Sequence, residues 1–88
     1  MLSQKMDKVL LEAGNAEIFR VARGEGWCNV AFGLGSRHGI QTGMQLAIIN
    51  DQGQAIGEAE VLETTETDAV ARVISGHDIR LGWLVSRN

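Results

Sequence analysis

The sequence predicts a mostly β domain: a small antiparallel β-barrel of about six strands, closed or partly open, behind a short N-terminal α-helix. Three observations predict it. From Ala16 onward, short apolar runs are separated by glycine-bearing turns at intervals of roughly 8–12 residues, the pattern of a sandwich or small barrel rather than a βαβ fold. Within a run the apolar residues alternate, as at Cys28, Val30 and Phe32, which places them on one face of a strand. The 88 residues include no proline, which suits a sheet whose backbone donors are mostly paired.

Residues 1–14 read differently. Leu2, Met6, Val9, Leu10 and Ala13 recur at spacings of four and three, so they share one helical face. Ser3 is the candidate N-cap and Gly14-Asn15 the candidate stop. A helix of about 12 residues is marginal alone in water. Its stripe of Leu2, Met6 and Val9 is therefore expected to pack on the barrel or to pair with a second copy, as the end of a coiled coil would. This divides the chain into a helix, 1–14, and a barrel domain, 15–88.

The strands follow in order. Residues 16–22 form the first, with Arg23-Gly24-Glu25-Gly26 as its turn, and 27–32 form the second. The glycines of 33–39, Gly35 and Gly39 among them, exclude a strand interior and make a loop. Residues 44–49 are the third strand, and Asn50-Asp51-Gln52-Gly53 is a hairpin turn in which Gly53 supplies positive φ. Strands at 55–63, 68–74 and 84–86 complete the series. The expected inward set is Ile18, Val30, Phe32, Leu46, Ile48, Ala59, Val61, Val70, Val73 and Val85. Val70 and Val73 can both point inward only with a bulge between them.

One short pattern occurs twice. His38-Gly39-Ile40-Gln41-Thr42-Gly43-Met44 aligns with His77-Asp78-Ile79-Arg80-Leu81-Gly82-Trp83. The shared form, apolar-x-x-Gly-apolar, anchors an apolar side chain in a barrel end and uses the backbone freedom of Gly43 or Gly82 to launch the next strand. Two copies imply pseudo-symmetric halves.

The run from Val30 to Met44, the strand Ile56-Gly57-Glu58-Ala59-Glu60-Val61 and the closing segment from Ile79 to Val85 resemble a pattern of bacterial cell-envelope proteins. They look like the small β-barrel at the C-terminus of flagellar assembly protein T and, more loosely, the β domains of the rod-shape-determining protein C. Gly82-Trp83 departs from that pattern, which has Gly-Asp at this place. The resemblance implies a non-enzymatic structural or protein-binding role, in a barrel that often follows a coiled coil.

Composition narrows function further. Apolar residues make up 44% and charged residues 22%, as in ordinary globular chains. No apolar run approaches the ~20 residues of a membrane span. The net charge of −3 makes nucleic acid an unlikely partner, because binding it rests on clustered Lys and Arg. Asp51, Glu58, Glu60, Glu63, Glu66 and Asp68 fall between Arg37 and Arg72 with no basic residue among them, so one side should be acidic. That side either keeps an edge from aggregating or docks a basic partner. The N-terminus does not read as a signal peptide. A chain that starts natively at Met1 is expected in the cytoplasm, and a domain cut from an exported chain in the periplasm or cell envelope.

No catalytic, cofactor or metal site is expected. Cys28, His38 and His77 lack the tight spacing of zinc ligands. Glu58 and Glu60 share a strand face, but acid–base work needs a pocket that separates their proton affinities. Ser36 and His38 lack an orienting acid and a nucleophile elbow. The candidate interaction residues are Trp27 and Trp83 at strand starts, Glu58 and Glu60, and the helix stripe. The function expected is a protein-interaction or structural module, with the helix as its route to self-association. The alternative is a barrel that binds a small ligand or nucleic acid.

Overall fold

A computed structural model of the protein describes residues 15–87. The expected helix, with Leu2, Met6 and Val9, lies outside the described residues. Six strands are present: β1 (Asn15–Gly24), β2 (Trp27–Phe32), β3 (Gln45–Ile49), β4 (Ala55–Thr64), β5 (Ala69–Ser75) and β6 (Leu84–Ser86). They close into an antiparallel barrel in the order β1-β2-β5-β4-β3-β6. The three residues of β6 complete the ring, pairing with β1 on one side and β3 on the other.

The alternation read from the sequence sets the interior. Ile18, Val30, Phe32, Leu46, Ile48, Ala59, Val61 and Val85 are all buried. Burying each large apolar side chain contributes about 1.5–3 kcal/mol, so a filled interior is the main stabilising term in so small a barrel. One of the ten expected positions needs correction. β5 alternates from Ala69 to Val73 with no bulge between Val70 and Val73: Ala69 and Ala71 are buried, Val73 packs half-buried against the core, and Val70 faces outward. The register explains the choice of alanine. Phe32 pairs with Ala69 and Val30 with Ala71, so a small β5 residue lies opposite each larger one on β2.

The bulges fall on β1, on β4 and at the end of β5. Ile18 pairs with Phe32 and Arg20 with Ala31, leaving Phe19 as an extra residue. Val61 pairs with Ala71 and Glu63 with Val70, leaving Leu62 extra, and Ala59 pairs with Val73 and Glu58 with Ser75, leaving Ile74 extra. All three extra residues are exposed. The first hairpin is also tighter than expected: β1 continues through Gly24, which pairs with Trp27, and only Glu25 and Gly26 turn.

Antiparallel alternation sorts the connections into two ends. The β1–β2 and β3–β4 hairpins and the β5–β6 connection share one, the Trp83 end. The β2–β3 connection and the β4–β5 hairpin share the other, the Ile40 end. No helix among the described residues is long and apolar enough to cross a membrane.

Candidate functional site at the Trp83 end

The repeated segments, residues 36–44 and 75–83, form equivalent turns at opposite ends. Ile40 and Ile79 are both buried and plug their ends of the core. Gly43 and Gly82 have φ of 90° and 88°, a left-handed conformation in which L side chains are strained. The hydrogen bonds repeat as well. Gly43 N–H donates to Val61 O (2.8 Å) and Val61 N–H to Met44 O (2.9 Å). Gly82 N–H donates to Ile18 O (3.0 Å) and Ile18 N–H to Trp83 O (2.7 Å). The Gly82-Trp83 step thus closes its turn through backbone groups, and the Arg23 guanidinium donates to Ile79 O of the same turn. Ile18 and Val61 are equivalent too, each buried immediately before a bulge. The barrel is a pseudo-twofold pairing of β1-β2-turn-β3 with β4-β5-turn-β6.

The two ends are finished differently. At the Ile40 end, Ser36 N–H and Arg37 N–H donate to Thr65 O and Glu66 O at 2.8 and 3.0 Å, docking a 3₁₀ turn (Ser36–His38) on the β4–β5 hairpin. Gly35 permits that approach, since an added Cβ would lie 2.6 Å from the Glu66 backbone. His38 Nδ1 accepts from Gly35 N–H at 3.1 Å, so the imidazole braces the turn. The Arg87 guanidinium donates to His38 O and lies over Gly39, where a Cβ would come within 2.7 Å of Nη1.

At the Trp83 end a hollow of about 400 Å³ stays open, lined by Asp51, Ile56, His77, Asp78, Arg80 and Trp83. Asp51 comes from the β3–β4 hairpin. Asn50 builds that loop, its Oδ1 accepting from Gln52 N–H and Gln54 N–H at 2.9 Å each, with Gly53 at φ 80°. Trp83 is half-buried and packs against the core, as does Ile56. Asp78 takes the position of Gly39 and adopts φ 54°, the one non-glycine residue with positive φ among the described residues. That conformation costs an L-residue about 1 kcal/mol, less for aspartate, and strain of this kind gathers at functional positions. Gly57 holds β4 close to the loop, leaving no room for a Cβ against Ser75 O.

The other expected site residues lie apart from the hollow. Trp27 is 48% exposed, its indole lying over Gly24. Glu58 and Glu60 are on the outer face of β4, and Glu60 pairs with Arg72 at 3.1 Å with both side chains partly in water. Such a pair contributes about 0–1 kcal/mol. Asp51, Glu58, Glu60, Glu63, Glu66 and Asp68 run along β4 and the hairpins flanking it, so the acidic side follows one strand. A second, smaller groove of about 210 Å³ runs over the outer faces of β1, β2 and β5 beside Arg20, Ala31 and Val70. Cys28 is half-buried and free. No group of three or more His, Cys, Asp and Glu side chains among the described residues is placed to hold a metal ion.

Sequence reasoning singled out Trp83 but missed its neighbours. Asp51 and Asp78 are far apart in sequence and meet only because the barrel closes. The signal available for Asp78 was its alignment with Gly39 across the repeat. No protein-family model, curated protein or solved structure matches the chain.

Proposed function

We propose that this barrel is a non-enzymatic protein-interaction module that receives its partner at the Trp83 end. The observation that carries the reading is the hollow itself: a half-buried indole ringed by carboxylate, imidazole and guanidinium groups in an open depression at one barrel end. Tryptophan is enriched where binding energy concentrates, so Trp83 gives this rim its anchor. Other reactive groups have structural duties instead. His38 braces a turn and Glu60 pairs with Arg72, which supports a binding role over catalysis. The resemblance to the barrel of flagellar assembly protein T extends the proposal to a larger cell-envelope assembly.

The test is a photoreactive amino acid placed at position 51, beside the hollow, and at position 67, on the β4–β5 hairpin of the other end. Irradiation in the cells that make the protein should give a protein adduct of discrete mass from position 51 and none from position 67. No adduct at 51, or the same adducts from both positions, overturns the reading. A small molecule is the second reading, favoured by a volume within the range of ligand pockets, about 300–1,000 Å³. It would leave position 51 without a protein adduct. Self-association through residues 1–14 remains part of the proposal. Light scattering of the chain with and without them should show a larger particle only when they are present, and a monomer in both cases removes it.

A further inference from the structure

The pseudo-twofold relation sets the two turns side by side. At the Ile40 end the turn is covered by a guanidinium, Arg87, which donates to His38 O and lies over Gly39. At the equivalent turn the Arg23 guanidinium donates to Ile79 O from outside the lining, and His77 and Asp78 border an open hollow. The single ion pair among the described residues is Arg72–Glu60, so Asp51 and Asp78 have no cationic partner there. Two carboxylates against the one guanidinium of Arg80 leave the lining with one net negative charge.

We propose that the hollow bordered by Asp51, Asp78 and Trp83 receives an arginine side chain from the partner protein. The inference rests on the interaction reading above and names the partner's chemistry. Guanidinium is planar, stacks on aromatic faces and bonds carboxylates through a fixed fork of donors, so it matches an indole flanked by carboxylates better than an ammonium does. The position of Asp78 supports this choice. Glycine at the equivalent position, Gly39, meets the same positive φ without strain, yet this end keeps an aspartate there. Arg80 is the competing charge on the rim, and it gives the proposal a test of opposite sign.

The probe is Nα-acetyl-arginine amide, titrated into the full chain carrying Trp27→Phe so that the indole N–H signal in NMR reports on Trp83 alone. A saturable shift with a millimolar dissociation constant is expected. The neutral isostere Nα-acetyl-citrulline amide should bind about tenfold more weakly or worse, because a charge-assisted hydrogen bond is lost. Asp51→Asn combined with Asp78→Asn should weaken arginine binding by a similar factor. Arg80→Ala should tighten it by about two- to threefold, on the scale of one partly screened charge. This arm stands even if the double variant folds poorly. Equal binding of arginine and citrulline, or weaker binding in Arg80→Ala, overturns the proposal. An absent arginine response with the position-51 adduct intact sinks this inference alone; losing both sinks the interaction reading as well.

Discussion

At the Ile40 end of the barrel, a 3₁₀ turn is docked on a hairpin, braced by His38 and covered by Arg87. At the Trp83 end, the same apolar-x-x-Gly-apolar turn buries its isoleucine and repeats the backbone bonds to the facing strand, but leaves a hollow above. The difference separates what the turn is for from what surrounds it. The plugging isoleucine and the left-handed glycine close the barrel and are common to both ends. Among the residues that differ are Gly39 against Asp78, at the surface of the turn, and Met44 against Trp83, both half-buried against the core. A structural device used twice is docked on a hairpin at one end and stands beside an open hollow at the other, where the indole lies.

The comparison can be broken most severely at the plugs. Ile40→Ala and Ile79→Ala should each lower stability by about 2–5 kcal/mol, since both side chains are buried and truncation leaves a cavity. Urea unfolding should show similar shifts in midpoint; a cost under about 1 kcal/mol for Ile79 alone would mean that only one end depends on its plug. The left-handed glycines come next. Gly43→Ala and Gly82→Ala should each cost about 1 kcal/mol through backbone strain alone, because an added Cβ at either position meets nothing within 4 Å. Unequal thermal midpoints for these two variants would show that the turns are not mechanically equivalent. The smallest effect sharpens the contrast. Asp78→Gly gives the second turn the residue of the first and should raise stability by a few tenths of a kcal/mol up to about 1, while weakening arginine binding. Calorimetry that shows a loss of stability instead would mean the aspartate holds the turn rather than a ligand.

Much of this fold was legible because glycine and alternation are local signals. β2 and β6 have the bounds their apolar runs indicate, and both isoleucines of the repeat are buried as the motif requires. Val70 is misplaced because strand parity depends on where a bulge falls: none lies between Val70 and Val73, and the bulges leave Phe19, Leu62 and Ile74 extra instead. Alanine carries too little apolar character to announce an inward position, although Ala69 and Ala71 are the residues that fit opposite Phe32 and Val30. Gly57 was a readable signal, since a glycine inside a strand often marks a close backbone approach. The hollow was legible only at Trp83. Its carboxylates come from two connections that closure brings together, and nothing near Asp51 in sequence points to Asp78.

The strand order has a consequence for how the chain is assembled. β3 lies between β4 and β6, both from the other half, and β6 returns to lie beside β1, so each half lends its third strand to its counterpart. Neither half can satisfy its own backbone. The ring is sealed by the last strand made, three residues long, and until Leu84–Ser86 arrives the rims of β1 and β3 both offer unpaired amides and carbonyls to any passing strand. The protection of this barrel against its own kind thus rests on its shortest strand, and a nascent chain stays adhesive until that strand is in place.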